Sequence, residues 1–481
     1  MVIRSRHLMP VLAACCLAWG SVVAQESRPA LTELPPAINS LLTQLGEGQI
    51  SYLEGLWRTG GGAASSAEQL QGFRKRVAAA VMVHPDVLAV SAARGALTYA
   101  IREAEAVRWP QVSAQLENGQ KANDPNTLLN TPARDYSSAA FTVTVRQLVY
   151  DFGASRGAIA GSTARDLQGF YRLQLSSSEV AIRAIQAFHE LVRTQRQFDL
   201  AMRNEQARES IVDLVKQRND LGGGTRSDVV RAQSRMAEAS AMTASARQRL
   251  GLAQAAYREI FNADPSAVGA AEHLVYAIDL ENDFQARLSQ AGQDSWKVRM
   301  AQSARDAAQA DVQSAKARAL PAINLEFSNS RRDLVGPGTP GTDRSVMLVA
   351  RQTLFGGWAD TARIDQAAQK LKQAQEEFES AQREATRVLE QAFLEAESMA
   401  LMVLTRADSA RLAADSLRMV REQYAYRRGT LLDLLTAQES LYSAGRELID
   451  AQVDQAVSRF KVLHSASLLN RFLDLQAQQS R

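Results

Sequence analysis

Residues 145 to 153 are VRQLVYDFG, and residues 350 to 358 are ARQTLFGGW, a second version of the same phrase. Each places an Arg-Gln pair a few residues before an aromatic side chain and a glycine. Arg146 recurs as Arg351, 205 residues later, and the same offset relates Asp228 to Asp433. An offset that holds from one end of a long segment to the other indicates a tandem duplication.

Long helices are predicted after each phrase. Residues 133–264 and 341–481 contain no proline and are rich in Ala, Gln, Glu, Arg and Leu, which favour helix. One turn signal interrupts each stretch, Gly222-Gly223-Gly224 in the first and Gly429-Thr430 in the second. The sequence therefore predicts two helical hairpins, 155–261 with its tip at 220–228 and 357–470 with its tip at 424–433.

Apolar residues in the second hairpin recur at alternating steps of four and three, the spacing of a coiled-coil seam. The row is Leu389, Phe393, Ala396, Ala400, Val403, Ala407, Ala410, Ala414 and Leu417. On periodicity alone, an ordinary soluble coiled coil explains this pattern.

Four strands are predicted ahead of the hairpins, at about 111–119, 137–149, 321–330 and 344–355. Apolar and polar residues alternate along them, with Phe141, Val143 and Val145 between Thr142, Thr144 and Arg146 as the clearest case. Their length is roughly that of a membrane-spanning strand. The repeating unit is strand, strand, helix, helix, first within 72–270 and again within 271–475, followed by a tail at 476–481.

The N-terminus has the pattern of a secretory signal peptide over 1–24, with a basic start, an apolar run and small residues before Gln25. A lipid on Cys15 is the alternative, and cleavage after Ala24 would remove both cysteines of the chain. Residues 25–71 contain Pro35-Pro36 and a Gly-Ala-Ser linker at 60–66, which predicts a mobile N-terminal extension.

Catalysis and nucleic-acid binding are not indicated. The net charge is only +3, and basic residues are interspersed with acidic ones. The five histidines have no metal-ligand spacing, and residues 124–135 begin like a calcium loop but place Leu128 where a ligand belongs. We therefore predict no catalytic, cofactor-binding or metal residues.

The predicted strands decide how the chain would meet a membrane, since no segment after the signal peptide has about 18 uninterrupted apolar residues. Four strands cannot close a barrel, and open edges are not tolerated in lipid. About eight strands leave an interior filled by side chains, whereas three copies give 12 strands and an open lumen. The expected architecture is mainly α with a β-barrel portion: a trimeric 12-stranded outer-membrane barrel continued by a long α-helical coiled-coil periplasmic tunnel.

With these features, the sequence resembles the TolC family of outer-membrane efflux and type I secretion channels. The resemblance spans roughly 72–475 and rests on the duplicated phrase, on His84-Pro85-Asp86, and on the tips GTRSDVVRAQ (224–233) and GTLLDLLTAQESLY (429–442). It implies a homotrimer in the Gram-negative outer membrane with a periplasmic extension. The implied partners are a periplasmic adaptor and an inner-membrane ABC or proton-driven transporter.

The resemblance also implies a gate at the hairpin tips. Asp228 matches the family's acidic tip residue, Tyr424 the tyrosine that bonds to it, and Asp433 one aspartate of the aperture. Thr436 replaces a second aperture aspartate, and the arginine expected at Gly429 has Arg427 and Arg428 as nearby substitutes. The alternative is that both aspartates simply stabilise helix N-termini.

The duplicated phrase itself is predicted to be a strand-to-helix joint. Its residues are Gln147, Tyr150, Gly153, Gln352, Phe355, Gly356 and Gly357. Arg146 and Gln147 are expected to face the lumen, Tyr150 and Phe152 to lie in an aromatic belt, and Gly153 to let the chain turn. Gly157 and Gly161 are expected to allow close helix packing below the joint.

The predicted function is a passive exit duct of a type I secretion or tripartite efflux system, for protein or small-molecule cargo. The alternative is a periplasmic coiled-coil adaptor or a structural protein without a pore.

Overall fold

The computed structural model describes residue 40 and residues 42–59, 67–123, 134–265, 294–332 and 341–475. The predicted signal peptide, the first part of the N-terminal extension, its linker at 60–66, the tail at 476–481 and most of the calcium-like loop lie outside the described residues.

The fold consists of long helices and one small sheet. Helices α1 to α5 are Glu47–Thr59, Ala67–Val83, Pro85–Ala106, Ala154–Asp220 and Arg226–Phe261, and α6 to α9 are Trp296–Arg318, Ala359–Ala425, Leu431–Ser465 and Leu469–Phe472. Strands β1 to β4 are Gln111–Asn123, Arg134–Tyr150, Ala322–Arg332 and Gly341–Arg351.

Both long helices begin and end at duplicated positions, because α4 and α7 are each 67 residues long and are offset by 205 residues. At 1.5 Å per residue each extends roughly 100 Å. One end adjoins the sheet and the other ends at a hairpin tip.

The helices form one layer four helices wide, and two of the four positions are occupied by different helices at its two ends. Near the sheet, α4 packs between α3 and α6, and α7 packs on the far side of α6. Towards the tips, α5 replaces α3 and α8 replaces α6, which gives the order α5, α4, α8, α7. The central helices are therefore α4 and α8, and the edge helices are α3, α5 and α7.

The sheet is antiparallel, with the order β1, β2, β3, β4. Its register aligns like residues across the strands. One row is Val112, Val145, Phe327 and Val346, and the next row, on the opposite face, is Ser113, Thr144, Ser328 and Ser345. The alternation in sequence thus gives a sheet with an apolar face and a polar face near its helical end.

Several strand boundaries differ from those predicted, and β1 runs to Asn123 instead of about 119. Strand β4 ends at Arg351 rather than at about 355, and the next seven residues form the turn into α7. The bulge in β2 between Leu148 and Tyr150 keeps β2 paired further towards its helix. The two copies of the duplicated phrase are therefore in register in the sequence, but strand pairing continues to Tyr150 in the first copy and stops at Arg351 in the second.

The prediction of a mobile N-terminal extension is wrong for its described part. Residues 42–57, which we call the N-terminal clasp, contribute Leu42, Leu45, Ile50, Leu53 and Leu56 to a buried cluster with α4, α7 and α8. Burying five such side chains stabilises the segment, since each removes a large apolar surface from water. The apolar spacing of three to five residues was the signal that could have revealed this helix.

Candidate functional site

The first hairpin tip is a short turn between α4 and α5. A side chain at Gly224 would come within 3.1 Å of the Asn219 backbone nitrogen, so the tight turn favours glycine. Thr225 caps α5: its hydroxyl accepts a hydrogen bond from the Asp228 N–H at 3.1 Å and donates to the Asp228 carboxylate at 2.8 Å.

The second tip repeats this geometry 205 residues later. A side chain at Gly429 would come within 3.2 Å of the Tyr424 backbone nitrogen. Thr430 and Asp433 form a complete capping box, since the Asp433 carboxylate accepts from the Thr430 N–H at 3.0 Å and the Thr430 hydroxyl accepts from the Asp433 N–H at 3.2 Å. The Thr430 hydroxyl, and then its backbone N–H, lower the pKa of exposed Asp433.

The resemblance predicts a hydrogen bond between Tyr424 and Asp228. Within the described residues, the Tyr424 hydroxyl does not make it. Its side chain is only 3% exposed, packs in the same apolar cluster as the clasp, and lies 4.9 Å beneath the Arg218 guanidinium. The Asp228 carboxylate is instead engaged by Thr225. Helix capping therefore explains the bonding of both aspartates within one chain.

The remaining tip residues lie on or beside the second turn. Arg427 has a positive φ of 58°, and Arg428 donates its N–H to Gln423 O at 2.8 Å. The Arg427 guanidinium is 3.9 Å from the position of a side chain added at Gly223, so the two tips are neighbours. The Thr436 hydroxyl donates to Leu432 O at 2.8 Å and supplies no charge.

A polar row runs from the second tip along α8. It recurs every seven residues and consists of Asp433, Ser440, Glu447, Asp454 and Lys461. Glu447 pairs with Arg406 at 2.5 Å, Asp454 with Arg193 at 2.5 Å and Lys461 with Glu395 at 2.6 Å. Burial raises the pKa of the neighbouring Asp450.

Each glutamine of the duplicated phrase ties a strand to the end of a helix. The Gln147 side-chain amide donates to Arg108 O at 2.8 Å, just beyond α3, and the Gln352 amide donates to Ala319 O at 3.4 Å, just beyond α6. Arg146 pairs across the sheet with Glu326 at 2.8 Å.

The expectation that Arg146 and Gln147 share a face is wrong. Adjacent residues of a strand point to opposite faces, and Gln147 is opposite Leu325 in the register while Arg146 is opposite Glu326.

The turn into each long helix uses left-handed backbone. Gly153 has a φ of 98° at the N-cap of α4, where the Asp151 carboxylate accepts from the Gly153 and Ser155 N–H groups. Trp358 holds the equivalent position before α7 with a φ of 67°, and Gly357 precedes it with a φ of 63°. A side chain added at Gly356 would meet the Thr353 side chain at an ordinary 3.6 Å.

Exposed aromatic rings surround both joints. Tyr150 and Phe152 meet edge to face with centroids 4.7 Å apart, and Phe355 and Trp358 do so at 6.0 Å. Trp109 adds a further exposed ring at the end of α3. Immediately below, a side chain at Gly157 would lie 2.9 Å from the Ser314 backbone nitrogen, so α4 and α6 pack closely there.

Comparison with known proteins identifies the family of this chain. Residues 78–263 and 288–462 match the profile described as "Outer membrane efflux protein". The chain belongs to the outer membrane efflux protein family.

Individual members resemble the chain over most of its length. Outer membrane efflux protein BepC of Brucella suis is 25% identical over 347 residues, 70% of this chain and 74% of BepC. Alkaline protease secretion protein AprF of Pseudomonas aeruginosa is 26% identical over 351 residues, 70% of this chain and 71% of AprF. The crystal structure of the outer membrane protein VceC of Vibrio cholerae has a TM-score of 0.70 at 17% identity, covering 82% of this chain and 95% of VceC.

Membership of the outer membrane efflux protein family makes this chain an outer-membrane channel component of Gram-negative cells and not an enzyme. It also confirms the resemblance on which the site residues were chosen.

Within the described ranges, no single helix is long and apolar enough to cross a membrane, and only the bent pair formed by residues 68–83 and 85–106 passes that test jointly.

Proposed function

We propose that three copies of this chain close a 12-stranded barrel and a continuous helical tunnel, through which cargo passes passively out of the cell. The observation that carries the proposal is that, among the described residues, the sheet and the helix layer leave the same two sides open. Strand β1 and helices α3 and α5 form one side, while β4 and α7 form the other. A neighbouring copy would pair with the open strand edge and pack on the open helix edge at the same time.

The open sides have complementary surfaces. On α7, Leu394, Leu401, Leu412 and Met419 are exposed and lie opposite the row that packs on α8. Helix α5 has six arginines against three acids, whereas α7 has twelve acids against nine basic residues. Apolar contact and opposite charge therefore favour α7 of one copy beside α5 of the next.

The two faces of the sheet support this orientation. Rows such as Val112 to Val346 would face lipid, and rows such as Ser113 to Ser345 would face the lumen. Exposed Tyr150, Phe355 and Trp358 would then lie where the barrel meets the headgroups on the periplasmic side.

The hairpin tips would form the periplasmic gate. Three symmetry-related copies of Asp433 would ring the aperture, with Asp228, Tyr424, Arg427, Arg428 and Thr436 around them. Because Asp433 has a lowered pKa, it is charged at neutral and mildly acidic pH, and a ring of carboxylates attracts cations. Thr436 supplies no second acidic ring.

Cargo would be delivered by an inner-membrane transporter through a periplasmic adaptor. The names of AprF and of PrtF from Dickeya chrysanthemi refer to protease secretion, which supports type I protein secretion by an ATP-driven transporter as the leading case. The name of BepC supports small-molecule efflux as the second candidate.

Membrane fractionation tests the proposal. We expect the protein in the outer-membrane fraction as trimers that resist dissociation on mild heating, and we expect purified trimers to conduct in planar bilayers. Recovery only in the soluble periplasmic fraction, or trimers without conductance, would refute the exit duct and leave a coiled-coil adaptor or structural role.

A further inference from the structure

The N-terminal clasp, residues 42–57, connects helices that belong to different hairpins. Its apolar side chains pack against α4 of the first hairpin and against α7 and α8 of the second. Near the tips the two hairpins otherwise meet mainly where α4 packs on α8. The clasp is therefore a second connection between them.

The clasp follows one face of α8. Gln438, Gly445 and Gln452 are spaced by seven residues, and all three are buried. The Gln438 amide donates to the Gln49 side chain at 2.5 Å, and the Gln452 amide donates to Leu56 O at 2.9 Å. A side chain at Gly445 would collide with Leu53 at 2.8 Å, so α8 has a glycine where the clasp approaches most closely.

Polar contacts attach the clasp on both sides. On α7, Arg418 pairs with Glu54 at 2.6 Å and Arg421 with Glu47 at 2.7 Å. On α4, the Tyr52 hydroxyl donates to Arg196 O at 3.2 Å. The tethers thus reach one helix of each hairpin.

The clasp and the polar row lie on nearly opposite faces of α8. Gln438 is five residues beyond Asp433, which is roughly 140° around an α-helix. If Asp433 faces the aperture, the clasp lies on the outer surface of the tunnel, where it does not obstruct cargo.

We propose that the N-terminal clasp holds the two hairpins together at the periplasmic end and must loosen for that end to widen. This inference rests on the proposed channel function. Moving α7 and α8 away from α4 would separate Glu47 and Glu54 from Arg421 and Arg418, or Tyr52 from α4. The closed arrangement is thereby stabilised by contacts that the open one loses.

The double variant Glu47→Gln/Glu54→Gln tests the clasp, because it removes both ion pairs to α7 and keeps side-chain size. The matched control is Glu395→Gln, whose 2.6 Å pair with Lys461 has similar exposure and joins two helices of one hairpin. We expect amide hydrogen exchange over residues 410–433 to rise about fivefold in the double variant, because losing two partly exposed ion pairs weakens the clasp only modestly. The control should leave it unchanged.

Bilayer recordings of the same proteins give the second measurement. Open probability should rise by a similar factor in the double variant only. Unchanged exchange and unchanged opening in the double variant would overturn the clasp while leaving the channel intact. A wild-type protein that forms no conducting trimer would instead refute the proposed function, and the exchange result would still decide whether the segment holds the hairpins together.

Discussion

Helices α4 and α7 are duplicates of equal length, yet their surroundings differ. Helix α4 has 26 buried residues and α7 has ten, among them seven alanines or valines. Helices α5 and α8 differ in the opposite sense, with seven buried residues in α5 and 20 in α8. In each repeat one helix is central and the other is at an edge.

This difference shows where a single chain is incomplete. Duplicated helices with similar apolar spacing would be expected to bury similar surfaces, but α7 leaves Leu394, Leu401, Leu412 and Met419 in solvent. In a closed ring every helix has two neighbours. In a trimer the edge helices would therefore be packed on both sides, as the central helices already are in a single chain.

Charging the α7 edge should have the largest effect. Leu401 and Leu412 are 63% and 62% exposed, so Leu401→Glu/Leu412→Glu should leave the single chain folded. In the trimer each charge would be buried without a partner, at a cost on the order of several kcal/mol per interface. We expect heat-resistant trimers to disappear from gels while helicity measured by circular dichroism is retained.

The matched control for that variant is Leu167→Glu on α4, where an exposed leucine lies on a helix flanked on both sides. Trimers should persist in the control. Equal loss of trimers in both variants would mean that the α7 edge has no special role.

A leucine pair on α8 tests the central helix. Leu434 is fully buried and Leu432 is about half exposed, two residues away. Leu434→Ala should destabilise the fold by about 2–5 kcal/mol because it leaves a cavity, whereas Leu432→Ala should change stability by less than ~0.5 kcal/mol. Thermal unfolding in detergent measures the difference, and similar melting temperatures would contradict the assigned core.

The smallest effect is expected at the tips, where Asp433 and Asp228 occupy duplicated positions. Asp433→Asn should reduce block of the channel by multivalent cations in bilayer recordings, since it removes three carboxylates from the aperture. Thr430→Ala, which removes the side-chain cap of α8 and keeps the Asp433 carboxylate, is the control for lost helix capping. If neither variant changes the block, Asp433 is a capping residue alone.

Patterns among neighbouring residues account for the turns, helix ends and strands that were predicted correctly from the sequence. The tip turns follow from Gly224 and Gly429 with the threonine caps that come next, and the helix ends follow from the 205-residue offset. The strands follow from apolar alternation, which the register then aligns across the sheet. Each turn, cap and strand depends on residues close together in the chain, and the offset compares two such local patterns.

Contacts between distant segments explain what the sequence missed. The clasp is ordered by contacts with α4, α7 and α8, such as the Tyr52–Arg196 bond across 144 residues. The prolines before the clasp and the glycine-rich linker after it suggested mobility instead. Tyr424 is buried beneath Arg218, which no motif at the tip indicated. The early end of β4 depends on where its pairing with β3 stops.

Counting subunits tests the central claim most directly. Single-particle electron microscopy of the detergent-purified protein should show three chains, with β1 of one beside β4 of the next and α7 beside α3 and α5 along the tunnel. A different number of chains, or a trimer that leaves β1 and β4 unpaired, would contradict the account.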